Sequence, residues 1–170
     1  MIKMKKTKKM AETVAIKSAQ VFPPDTNYYG TLFGGKLMAH IDDVASISAT
    51  RFARNPTVTA STDSVDFLRP IKVGDTVTLK AMVTHTGRSS MEVFVRVTSE
   101  NLITGEEEVA ALSFLTFVAI DENGRPVEVG NVAPETEEER WLFDTAPARA
   151  AYRKTRKDHS KELSSFFKKL

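Results

Sequence analysis

The chain predicts an α+β fold: an antiparallel sheet wrapped around one long central helix, with a C-terminal helical tail. Three observations lead there. Between Lys36 and Arg54 apolar residues recur at helical spacing. Around that stretch lie segments rich in Val, Thr and Phe, joined by short turns. Beyond Pro134 the pattern is helical again. A sheet of turn-linked strands has one apolar face that needs a cover, and the stripe of Lys36–Arg54 is the large one available inside the domain.

Taken in order, Val14–Phe22 reads as a first strand ended by Pro23-Pro24, and Asp25–Gly34 as a loop. In Lys36–Arg54, Leu37, Ile41, Val44, Ala45, Ser48 and Phe52 share one side at ~100° per residue. Asn55-Pro56 stops the helix, because the residue before a proline is pushed out of the helical region. Strands are expected over Val58–Leu68, Thr76–Thr86, Met91–Glu100 and Glu108–Ile120. In the third of these, Met91, Val93, Val95 and Val97 alternate with Glu92, Phe94, Arg96 and Thr98. Thr136 and Glu139 have the spacing of a capping box, and Pro147 is expected to divide the helix that follows from a second, Ala148–Asp158. The expected organisation is a basic tail over 1–12, a domain over 13–126 and a helical extension over 127–170.

The 170 residues, 41% hydrophobic and 27% charged, are ordinary for a globular domain. There is no Cys, which excludes disulfides, thiolate metal sites and a cysteine nucleophile. No apolar run approaches a membrane span and Met1–Met10 has no apolar core, so the cytoplasm is the expected compartment and no membrane partner is expected. The net charge of +2 is uneven: +5 over residues 1–9, +6 over 149–170 and −9 between. An acidic body argues against a nucleic-acid partner, and the basic ends read as solvated tails.

The most informative segment is Pro24–Gly35 running into Lys36–Asp43. It puts Gly34-Gly35 at a helix start, where backbone N–H groups lack partners and can hold an oxyanion. Asp42 and Asp43 diverge by ~100° on a helix. Asp43 falls among Lys36, His40, Ile47, Arg51 and Arg54, a mostly polar, solvated face; Asp42 falls beside Met38, Ala45, Ser46 and Ala49, at the flank of the apolar stripe. A carboxylate there is either a rim residue paired to a neighbour or a general base. Thioester cleavage suits so sparse a set, because thiols ionise near pH ~8.5 and a thiolate leaves with little acid assistance. Asp42, the Gly35 N–H and the Asn27 amide would suffice, although Asn27 alone reads as a turn residue. Water activation and direct attack by Asp42 both remain open. The turn Thr86–Ser90 offers Arg88, hydroxyls and N–H groups to an anion, or is a plain hairpin; Arg69 is a weaker candidate. No G-x-S-x-G or G-x-G-x-x-G pattern occurs, and His40, His85 and His159 lie on separate elements, so neither a serine hydrolase, a dinucleotide fold nor a metal site is expected.

With these residues laid out, the chain resembles the hotdog-fold acyl-CoA thioesterases, in the group of bacterial short-chain and brain-type hydrolases. The resemblance rests on Pro24-Asp25-Thr26-Asn27, Gly30, Phe33–Met38, Ile41–Ala45, Thr59–Phe67, Pro70-Ile71, Gly74-Asp75 and Ser89–Val93, in order. It implies a sheet around a central helix, dimers with sites at their interface, and further assembly, often three dimers to a hexamer. It implies Asp42 and Asn27 as a catalytic pair from different subunits, with Gly35 as oxyanion donor beside Gly34. It also implies Val65, Asp66 and Phe67 along the pantetheine channel, and Arg88, Ser89, Ser90 and Arg69 toward the CoA phosphates. No cofactor is implied, CoA being part of the substrate. Rival expectations are a non-catalytic CoA-binding module and a dehydratase of the same fold, which would typically place a His near the helix.

Overall fold

The computed structural model describes residues 6–168. Its elements are β1 (Thr7–Lys9), β2 (Ala15–Gln20), α1 (Gly34–Ala53), β3 (Thr57–Phe67), β4 (Thr76–Thr86), β5 (Ser90–Glu100), β6 (Glu107–Ala119), β7 (Asn131–Ala133) and α2 (Glu137–Phe167). Five strands form one antiparallel sheet in the order β2-β4-β5-β6-β3, and β1 pairs parallel with β7 as a separate ribbon.

The sheet curls around α1, which buries Leu37, Ile41, Val44, Ala45, Ser48, Ala49 and Phe52 against it. These include all six residues of the expected stripe. The helix ends at Arg54, which adopts the left-handed region (φ 54°) and donates its N–H to the Thr50 carbonyl at 2.9 Å. Met91, Val93, Val95 and Val97 are fully buried on the inner face. The outer face is covered too: Glu92 and Phe94 are buried there, and residues of α2 lie over them.

Two expectations are corrected. Pro147 does not divide the C-terminal region, since α2 runs unbroken from Glu137 to Phe167 with Pro147 inside. The sheet holds the helix on both sides of the proline: Leu142 and Ala146 are buried before it, and Arg149, Arg153 and Arg156 are ion-paired to strands after it. Side-chain hydrogen bonds add to the turn ahead of the proline, Thr145 Oγ1 donating to the Trp141 carbonyl at 2.7 Å and Arg149 Nη2 to that of Leu142 at 2.5 Å. The capping box at Thr136 and Glu139 forms as expected.

Nor are the described residues of segment 1–12 a solvated tail; Met1–Lys5 lie outside the described residues. Thr7–Lys9 pair with Asn131–Ala133, Met10 is fully buried, and Lys8 Nζ donates to the Phe52 carbonyl at 2.7 Å, at the negative end of α1. Lysine spacing carries no sign of such docking, because the pairing partner is more than a hundred residues away. Residues of the 127–170 segment likewise enter the core through Val129, Val132 and Leu142.

Candidate active site

The loop before α1 is a small hairpin built on Asn27. Its N–H donates to the Thr31 carbonyl at 2.8 Å, its Oδ1 accepts from the N–H of Tyr29 (2.9 Å) and Thr31 (3.2 Å), and its Nδ2 donates to Thr31 Oγ1 at 2.9 Å. Gly30 closes the turn at φ +72°, a conformation that side chains disfavour. Leu32 N–H to Ile71 and Phe33 N–H to Asp25 dock the loop onto its neighbours, at 2.7 and 2.9 Å.

That docking presents the start of α1. The N-cap residue Phe33 supplies no side-chain cap, and among the described residues the N–H groups of Gly34 and Gly35 meet no acceptor. Two unpaired amides and the positive helix end therefore face outward. A Cβ at Gly35 would stand 2.6 Å from a Phe33 ring carbon, so a larger residue there would require the exposed Phe33 ring to move. Asn27, Gly34, Phe67 and Arg69 share a pocket of about 370 Å³ whose apolar lining includes Leu37 and Ile71.

Asp42 lies elsewhere on α1. It is half-buried and accepts a hydrogen bond from Thr59 Oγ1 of β3 at 2.8 Å, whereas Asp43 is exposed and paired with Lys17. The two carboxylates thus occupy the two surroundings that helical spacing distinguished. Asp42 does not line the Asn27 pocket, and from Gly35 it is two turns along the axis, about 10 Å. One chain brings Asn27 to Gly34, and Asp42 to Thr59, but does not bring the two pairs together.

A model of the thioesterase superfamily matches residues 29–106. The chain is 60% identical to the uncharacterized acyl-CoA thioester hydrolase YkhA of Bacillus subtilis, over 91% of this chain and 90% of that one. The chain belongs to the acyl-CoA thioester hydrolase family. This hydrolase is also similar in structure to the acyl-CoA hydrolase of Staphylococcus aureus, solved with butyryl-CoA, CoA and CoA disulfide (TM-score 0.92, 48% identity, 95% and 99% of the two chains). That enzyme has also been solved with alanine replacing an aspartate, a threonine and an asparagine in turn. A hexameric acyl-CoA thioesterase matches at TM-score 0.87 and 51% identity, over 89% and 97%. The hotdog fold, the membership and the class of reaction all agree with the resemblance read from the motifs.

The remaining expected residues of the hydrolase are spread out. Phe67 stands over Gly34 at 3.6 Å from a Cβ built there, Asp66 and Arg69 are exposed nearby, and Val65 packs against the core. Arg88, Ser89 and Ser90 form the β4–β5 turn, at the opposite end of the sheet from Phe67: Ser90 pairs with Val118, which pairs with Val58, whereas Phe67 pairs with Ala111. Among the described residues no three His, Asp or Glu side chains converge on a metal position, and no helix is long and apolar enough to cross a membrane.

Motif reading gave no role to Thr59, nor to an ionic cluster under α2. Glu92, its carboxylate fully buried, accepts from Thr84 Oγ1 at 2.8 Å and pairs with Arg149 (2.9 Å) and Arg153 (3.2 Å). The Arg149 guanidinium also lies 4.3 Å from the centre of the Phe114 ring. Asp63 on β3 pairs with Arg153 and Arg156. Only the alternation of Glu92 with buried valines hints at this, since each partner is some 57 to 93 residues distant.

His85 sits beside this cluster, against Phe143. Burial lowers its pKa; Glu92 opposes that, and Arg153 and Arg149 add to it. Burial, then Lys17 and Lys36, lower the pKa of His40. The fold thus disfavours the protonated form of both imidazoles, so the unfolded chain takes up protons first as pH drops below about 6.5. Stability should therefore fall between pH 7 and pH 5. Thermal unfolding across that range should show the slope, and the His40→Gln/His85→Gln variant should flatten it; an unaltered slope in the variant would count against both histidines.

Proposed function

We propose that this chain is a cytoplasmic, homo-oligomeric acyl-CoA hydrolase whose active site is shared between subunits. Asp42 and Thr59 come from one subunit, and Asn27, Gly34 and Gly35 from another. The observation that carries this reading is the separation of the two halves within one chain. Two further features favour it. β3 is an edge strand of 11 residues, and among the described residues one of its sides pairs with no strand. Around it and the loop lie exposed Phe33, Met38, Val58, Phe67 and Leu68, and Tyr28 and Tyr29 project from the loop tip at 98% and 86% exposure. Apolar surface gathered in this way marks an interface. The Staphylococcus enzyme and the hexameric thioesterase supply the matching precedents, and the three residue types replaced by alanine in the former are those of Asp42, Thr59 and Asn27.

In the proposed reaction, Thr59 occupies Asp42 Oδ1 and leaves Oδ2 to accept a proton from water. The hydroxide attacks the thioester carbonyl carbon, and the carbonyl oxygen takes its negative charge toward the Gly35 N–H at the positive helix end. Asn27 Nδ2 has a second hydrogen beyond the one given to Thr31, and this orients the water or carbonyl. Collapse expels the CoA thiolate, which accepts the proton held by Asp42, leaving CoA and a carboxylic acid that loses its own proton to water. Val65, Asp66 and Phe67 border the pantetheine arm. Arg88, Ser89 and Ser90 meet phosphates, and Arg69 assists. The alternative attack by Asp42 itself would pass through a mixed anhydride.

A thiol-release assay over acyl chains from acetyl to palmitoyl tests the proposal. Turnover of at least one CoA ester is expected. Tight CoA binding with no thiol released from any ester would leave a non-catalytic binding module, and hydration of an enoyl-CoA would favour the dehydratase.

A further inference from the structure

Asp63 takes no part in the site above, yet it is densely bonded. Its carboxylate accepts from Ser61 Oγ (2.6 Å), Thr116 Oγ1 (2.7 Å), Arg153 Nη1 (3.3 Å) and Arg156 Nη2, and Arg156 Nη1 also reaches its main-chain carbonyl at 3.0 Å. Burial alone would raise its pKa; the hydrogen bonds of Ser61, Arg156 and Thr116, with the charge of Arg153, outweigh that and hold it ionised below the usual carboxylate range.

The register of β3 shows what this investment holds. Thr59 opposes Phe117 and Ser61 opposes Thr116; Thr62 opposes Leu115 and Ser64 opposes Phe114. Ala60 and Asp63 are therefore the extra residues of two successive bulges. From Phe67 back to Thr59 the strand takes eight steps, against six from Ala111 to Phe117 on β6. Losing one bulge would turn Thr59 to the outer face, since side chains alternate. Losing both would restore its face but slide it two residues, about 6–7 Å, along the strand. Either way the Thr59 hydroxyl would leave Asp42.

We infer that Asp63 is a positioning residue: gripped by Arg153 and Arg156 of α2, it fixes the second bulge of β3 and so keeps the Thr59 hydroxyl level with Asp42. The inference rests on the reading of Asp42 as the reacting carboxylate. It also gives α2 a role at the site, although the helix lies on the far face of the sheet.

Steady-state kinetics with butyryl-CoA test it. Asp63→Asn and Arg156→Gln should each lower kcat about 10- to 100-fold, the scale of a slightly misplaced group, while KM stays within about twofold. Thr59→Ala should give a similar loss, and Thr59→Ala/Asp63→Asn should be no slower than Thr59→Ala alone, because both changes remove one interaction. Losses that multiply would overturn the inference. If Asp63→Asn does not fold, the cycle of Arg156→Gln with Thr59→Ala gives the same readout. Asp42→Asn measured alongside separates the two readings. If it turns over normally, the reading of Asp42 falls; if it is inactive while Asp63→Asn and Arg156→Gln are unimpaired, only the positioning role falls.

Discussion

Asp42→Asn is expected to lower kcat for a good acyl-CoA substrate by about 10²- to 10⁴-fold, the scale of a lost general base. The substitution keeps side-chain volume and the oxygen that Thr59 Oγ1 bonds at 2.8 Å, so the helix flank is undisturbed. What it removes is the capacity to take a proton, or to attack, near pH 7. CoA affinity should persist, because the carboxylate acts on water and not on the nucleotide, and KM should change little. Asp43→Asn provides the contrast. Asp43 is exposed and pairs with Lys17, a surface bridge of small energetic weight, and its loss should leave turnover within about twofold. Isothermal titration with CoA beside the thiol-release assay reads both quantities. Near-normal turnover by Asp42→Asn would remove it from the chemistry.

Mixing inactive subunits should restore activity. Asn27→Ala and Asp42→Asn are each expected to inactivate the homo-oligomer, since every shared site then lacks one half. In a random mixture half the dimers are mixed, and each mixed dimer has one site with both halves intact and one with both altered. About a quarter of the unaltered activity should return on coexpression, a consequence of two-fold symmetry alone. A site built within one chain would regain nothing. The roughly 10 Å between Asp42 and Gly35 along α1 is what makes the test sharp. So does the absence of Asp42 from the pocket that holds Asn27 and Gly34.

Much of the domain was legible because its signals are local. The stripe from Leu37 to Phe52 sets the buried side of α1 by 3.6-residue periodicity, and the same angle separates Asp42 from Asp43. The Gly34-Gly35 pair announced a bare helix start for the same reason: N–H groups at the first turn have no partner whatever the rest of the chain does. Pro147 misled because its local cost is real, but the packing of Leu142 and Ala146 and the ion pairs of Arg149 and Arg153 outweigh it. The lysines before Met10 misled in the other direction, polar residues concealing a strand whose partner is Asn131–Ala133.

Residues near one another in the chain thus established the order of elements, the buried stripe, the different surroundings of two adjacent aspartates and the ordered motifs of a CoA ester hydrolase. Folding alone decided which distant groups meet: Thr59 with Asp42, Arg153 and Arg156 with Asp63, Arg149 with a buried Glu92, and α2 with the back of the sheet. Periodicity is a property of a few successive dihedral angles, and it can be read along a string. A hydrogen bond or ion pair across dozens of residues depends on strand register, and a single bulge in β3 is enough to change which side chain arrives.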